Sequence, residues 1–113
     1  MDRFEDARGS IQDLLDGPID AVTEIYTVAG AVRGNHVHQF TIQWTYIVSG
    51  RMLFAAGEKQ MEHSTGALIR ESAGVPHAWK AVEDTTVLVF TRGPRSGSAY
   101  ETDTKRLDVP LLT

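Results

Sequence analysis

The chain contains no cysteine, which excludes disulfides and thiol catalysis and leaves any metal to nitrogen and oxygen donors. It also lacks a block of like charge. Eleven basic residues stand against 15 acidic ones, for a net charge of −4. No basic stripe exists to neutralise phosphates, so nucleic acid is excluded as a partner, and nothing suggests an anionic membrane surface. Apolar runs fall far short of a bilayer span. The opening segment, Met1 to Ser10, is charged and has no apolar centre, so no secretory signal is visible and the cytoplasm is the expected compartment. At 113 residues the chain reads as one domain, 1–113, able to bury a modest core without a covalent staple.

Helical periodicity is scarce too. Short alternating, β-branched segments separated by glycine or acidic turns dominate, and they predict an all-β sandwich or barrel. Strands are expected at 11–15, 21–28, 36–40, 43–49, 51–55, 60–63, 67–71, 77–82 and 86–91, with 92–104 running over the surface as a loop. The expected core is Ile25, Val28, Ile47, Val48, Leu53, Leu68, Val87 and Val89, with some of the aromatics. Gly30, Gly50, Gly66 and Gly74 are expected where the backbone needs positive φ or a close approach.

Against this background the histidines stand out. His36 and His38 are two residues apart, so on a strand they point to one side, and His77 lies in a second extended segment. Three converging imidazoles form a ligand set used by divalent transition metals, and the amide of Gln43 is a fourth candidate ligand. The alternative is a neutral, hydrogen-bonded cluster without metal. Arg33 is a candidate to clamp a phosphate or carboxylate of a substrate. Alternation puts Trp79 on the His77 face, where it would line a pocket, with Lys80 and Trp44 facing away. Tyr46 and Glu71, with Arg70, are the candidate catalytic acid–base groups, and spacing selects none of them. His63, beside a turn, is expected in solvent.

These residues resemble the cupins. Gly30, His36, His38, Gln43 and Gly50 fall on the first cupin motif, with glutamine where the family has glutamate. Gly66, Gly74 and His77 fall on the second, with Ser72 in place of its proline and Ala81 in place of its asparagine. The resemblance implies a double-stranded β-helix, or jelly roll, and a homodimer, with swapped N-terminal strands around Ser10 to Leu15 as one route. Arg33-Gly34-Asn35-His36-Val37-His38 is similar to a narrower group, the cupins acting on sugar nucleotides. The opening from Phe4 to Gln12 and the tail from Tyr100 to Asp108 also resemble that group.

The leading expectation is a small cupin that binds a divalent metal (zinc, nickel, iron or manganese) through His36, His38, His77 and Gln43. The metal would serve as Lewis acid toward a small polar, carbohydrate-derived metabolite, in isomerase, lyase or oxygenase chemistry. Two alternatives stand beside it. One is a metal-free sugar-nucleotide isomerase or epimerase with His36 or His38 as base. The other is a metabolite-binding module without turnover.

Overall fold

Eleven strands and one short helix make up the structure, a computed structural model that describes residues 3–113; Met1 and Asp2 lie outside the described residues. A hairpin, β1 (Arg3–Asp6) and β2 (Gly9–Gln12), comes first. The strands β3 (Ala21–Thr27), β4 (Val32–His38), β5 (Ile42–Ser49), β6 (Arg51–Ala56), β7 (Lys59–Ser64), β8 (Leu68–Glu71), β9 (His77–Ala81) and β10 (Thr85–Arg92) follow. The helix α1 (Gly97–Asp103) and the strand β11 (Thr104–Arg106) complete the order. Two antiparallel sheets, β3-β10-β5-β8 and β11-β4-β9-β6-β7, face each other as a jelly roll.

Alternation assigns each strand an inward face, and the chemistry of that face changes along the barrel. On β10 the inward residues run Val87, Val89, Thr91; on β5 they run in reverse as Gln43, Thr45, Ile47. On β9 they are His77, Trp79 and Ala81, and on β8 Ile69 and Glu71. Antiparallel pairing therefore collects the apolar ends at one pole and the polar ends at the other. Ile47, Met52 and Val87 plug the apolar pole and are fully buried, each worth about 1.5–3 kcal/mol of burial. The polar pole stays open as a cavity.

Several boundaries differ from the sequence reading. The expected first strand, 11–15, ends at Gln12 and pairs with β1 instead of the barrel. The histidine strand begins at Val32. Segment 92–104 holds helix α1, whose Asp103 is 2% exposed, so it is no mere surface loop. Of the expected core, Ile47, Val87 and Val89 are buried, and Ile25 packs against them. Val28 and Val48 are exposed at 56% and 42%, because they fall at strand ends past the covered part of the barrel. Leu53 and Leu68 alternate onto outer faces and are half-buried. Gly30, Gly50, Gly66 and Gly74 all adopt positive φ, and at Gly50 a Cβ would sit 2.5 Å from the Asp84 carbonyl oxygen, so the β5–β6 turn admits no side chain. No helix among the described residues is long and apolar enough to cross a membrane.

Candidate functional site

A β-bulge builds the polar pole. Between β4 and β9 the register runs Arg33 to Trp79 and Gly34 to Ala78, then shifts so that His36 faces His77. Residues three apart would normally point to opposite faces. The extra residue of the bulge brings Arg33 into phase with His36 and His38. Gly34 (φ 88) and Asn35 (φ 56) carry the left-handed backbone this needs, and a Cβ on Gly34 would meet the His77 carbonyl oxygen at 3.0 Å.

The three imidazoles meet. Their ligand atoms lie within 4.8 Å of one another, and His36 Nε2 is 3.1 Å from His77 Nε2. Burial, with the neighbouring His38, Arg106 and Arg95 charges, lowers His36 to about 4. Burial and the other two histidines lower His77 to about 4 as well. Both rings are neutral at pH 7. His38 is 5% exposed; burial lowers it, with Asp103 pulling partly the other way.

Asp103 is the residue that sequence reasoning missed. Its Oδ2 lies 3.2 Å from His38 Nδ1, and Thr104 Oγ1 is 3.1 Å from the same nitrogen. Burial works to raise the Asp103 carboxyl. Hydrogen bonds from the Thr41 hydroxyl and the Phe40 N–H, with the His38 charge, outweigh it and hold the group below the usual carboxylate range. An ionised carboxylate only accepts, so Nδ1 of His38 carries the proton and Nε2 keeps its lone pair. Helix α1 also brings Tyr100, three residues before Asp103 and on the same helix face, to the cavity; its ring centroid is 6.0 Å from that of His38. The tail segment had been singled out in the sequence, but no spacing there ties Asp103 to His38.

The opposite wall comes from β5, β8 and β10. Glu71 is 5% exposed; its Oε1 lies 3.9 Å from His77 Nε2 and has no hydrogen-bond partner among the described residues. Burial pushes its carboxyl up to about 8, against the opposing hydrogen bonds from Thr45 and Gln43, so Glu71 is a neutral acid at pH 7. Gln43 lines the cavity beside Glu71, its register partner on the neighbouring strand. Trp79 is buried in the wall, as its alternation required. Arg33 lines the mouth and donates to Thr27 Oγ1 at 2.7 Å and to the Tyr26 carbonyl at 3.2 Å. Arg95 lines the same mouth.

Tyr46 is a correction. It alternates onto the outer face of its sheet, between Leu88 and Leu68 in the register, and takes no part in the cavity. Arg70 is outside as well, with its guanidinium 6.0 Å from the Trp44 ring. His63 is half-buried near Phe54 rather than in open solvent.

A separation of 3.1 Å between two ring nitrogens is close to the roughly 3.3 Å between two nitrogen ligands of a tetrahedral ion, and neutral imidazoles are the ligating form. Of the outer nitrogens, that of His38 has the carboxylate support typical of metal ligands, while His77 Nδ1 is buried without a partner. His36, His38 and His77 thus fit a divalent ion.

The cupin domain family matches residues 24–91. The chain is a cupin. Its fold is similar to that of the dTDP-4-dehydrorhamnose 3,5-epimerase from Sulfolobus tokodaii, with a TM-score of 0.72, 16% identity, and 92% of this chain matched to 72% of that one. It is similar also to the sugar 3,4-ketoisomerase QdtA from Thermoanaerobacterium thermosaccharolyticum, solved with TDP, with a TM-score of 0.74, 17% identity and coverage of 95% and 84%. The capsular polysaccharide assembling protein CapF from Staphylococcus aureus matches at a TM-score of 0.69 and 19% identity. There this cupin covers 95% of its own length but only 32% of CapF. No curated protein matches the sequence.

Proposed function

We propose that this cupin moves a proton at a carbon next to the carbonyl of a nucleotide-linked keto sugar, as an epimerase or isomerase. The observation that carries the reading is the Asp103–His38 contact at 3.2 Å, which leaves His38 Nε2 as a neutral, oriented base. His38 takes the proton and the carbonyl oxygen becomes an enolate oxygen. The neutral carboxyl of Glu71 donates a hydrogen bond to that oxygen. Return of a proton from Tyr100 to the other face of that carbon inverts it; where that carbon bears a hydroxyl, return of the proton to the former carbonyl carbon, with the hydroxyl proton passing to the enolate oxygen, moves the carbonyl instead.

The cavity measures about 190 Å³, smaller than the roughly 300–1,000 Å³ of ordinary ligand pockets. The sugar enters, and the diphosphate stays at the mouth with Arg33 and Arg95. The folds of an epimerase and a ketoisomerase that act on sugar nucleotides support this reading.

A second reading rests on the 3.1 Å approach of His36 and His77. His36, His38 and His77 would hold a divalent ion, which when bound supplies Lewis acidity toward a carbonyl. The two readings compete for one lone pair, since an ion on His38 Nε2 removes the base. Turnover of dTDP-4-dehydrorhamnose with chelator and with added zinc separates them. Activity that survives chelator and falls with zinc supports the proton-transfer reading. Activity that needs zinc overturns it.

We propose that the protein also pairs with a second copy. The outer face of β3-β10-β5 carries Val22, Phe90 and Trp44 in one row, the last beneath the Arg92 guanidinium, and Leu88 and Tyr46 beside Glu24 in the next, where an antiparallel sheet usually turns polar residues to solvent. The hairpin adds Phe4 and Ile11, paired with each other and exposed at 57% and 66%, although a lone hairpin is marginal in water.

A further inference from the structure

The bulge that aims His36 is held from behind by the C-terminal segment. Asn35, at the bulge, makes four hydrogen bonds to that segment. Its Oδ1 accepts from the backbone N–H of Leu111 at 2.8 Å and of Leu112 at 3.2 Å. Its Nδ2 donates to the Leu112 carbonyl at 2.9 Å, and its own carbonyl accepts from Leu107 N–H at 2.9 Å. Asparagine is suited to this place, because its short polar side chain tolerates the left-handed φ of 56 found there.

Apolar packing seats the other side of the segment. Leu112 is 8% exposed and clusters with Ala55 and Ala78, whose small side chains on the outer face of β6 and β9 leave it room. Leu111, Val32 and Leu53 pack around them. The same segment pairs β11 along the free edge of β4, with Arg106 opposite His36 and Thr104 opposite His38. The histidine strand is thus gripped along its edge and across its back, and the Asn35 side chain ties the back to the bulge.

We infer that Asn35 is a positioning residue: it clasps the strap 107–112 onto the bulge and thereby fixes His36 against His77. The inference rests on the histidine cluster being the working site, but it concerns ring placement and not turnover. Without the Asn35 side chain, the bulge keeps its glycine and the backbone bond from Leu107 but loses the three side-chain bonds that set its angle. His36, the next residue, then drifts from its 3.1 Å contact with His77.

Two full-length variants test this. Asn35→Gly retains the backbone conformation and removes the side chain; Asn35→Asp retains an acceptor for Leu111 and Leu112 and loses the donor. Amide hydrogen exchange reads the strap, and imidazole nitrogen–proton correlation spectra read the rings without any substrate. In Asn35→Gly the Leu111 and Leu112 amides exchange at least about tenfold faster. The His36 and His77 ring signals move while those of His63, on β7, do not. Asn35→Asp gives intermediate values for both. Unchanged amide protection overturns the clasp. Faster exchange with unmoved His36 and His77 signals overturns the positioning role and leaves Asn35 a structural tie. If Asn35→Gly does not unfold cooperatively, the same ring signals in Asn35→Asp decide. Failure of the isomerase reading leaves these signals unaffected, so the two fail separately.

Discussion

Asp103 Oδ2 and His38 Nδ1 lie 3.2 Å apart, with both side chains almost wholly buried. The last residue of a short helix thus sets the tautomer of a histidine on the strand that opens the cupin motif. Because the Asp103 carboxyl also accepts from Phe40 N–H, Thr41 N–H and the Thr41 hydroxyl, its own position is fixed by the loop that follows that strand.

Asp103→Asn should therefore hurt catalysis far more than folding. The amide can donate to Nδ1 and stabilise the wrong tautomer, with the proton on Nε2. Turnover of a dTDP-4-dehydro sugar should fall at least about a hundredfold, the scale of general base catalysis, while KM changes little. Steady-state kinetics check this, and a fall confined to KM would contradict it.

Tyr100→Phe should separate the two halves of the reaction. His38 still removes a proton, so exchange of the substrate's carbon-bound hydrogen with solvent continues. Epimerised product falls, because the acid on the opposite face is gone. Proton NMR in deuterated water reads both at once. Equal loss of exchange and product would take Tyr100 out of the acid role.

Much of this site was legible before any coordinates. His36, His38 and His77 converge as alternation and motif spacing required, and Trp79 shares their wall. Alternation alone misled where a bulge intervened: simple period-two counting separates Arg33 from His36, and only the shift after Gly34 reunites them. Tyr46 drew attention as a titratable group beside the motif, but its parity with Trp44 puts it outside. Asp103 and Tyr100 were hidden because long-range partners leave no local period. A seven-residue helix flanked by glycine and serine reads as loop, and its stability comes from docking rather than propensity.

The metal-free protein should be most stable near pH 6.5. Between about 4 and 6.5 the unfolded chain binds protons on His36 and His77 that the folded state refuses, so stability rises with pH across that window. Glu71 works in the opposite sense. Its folded carboxyl keeps a proton up to about 8 while the unfolded one releases it near 4.5, so stability falls as pH rises between those values. Two histidines outweigh one glutamate below 6.5, and above it Glu71 acts alone, with a slope of at most about 1.4 kcal/mol per pH unit. Glu71→Gln should flatten the decline between pH 6.5 and 8 in urea titrations with chelator present. A wild-type curve without that decline would mean that Glu71 is ionised in the fold.

His36→Ala and His77→Ala should each weaken zinc binding more than about tenfold by calorimetry, as expected on losing one of three ligands. Gln43→Ala should leave the affinity nearly unchanged, because three imidazoles already hold the ion. A tenfold loss in Gln43→Ala would restore it to the ligand set.

The most direct test of the central claim is deuterium wash-in. The protein, with chelator present, is incubated with dTDP-4-dehydrorhamnose in deuterated water, and label next to the carbonyl is measured by mass spectrometry beside the His38→Gln variant. The account predicts rapid incorporation by the wild type and background incorporation by the folded variant. No incorporation by the wild type, or equal incorporation by both, would contradict His38 as the base.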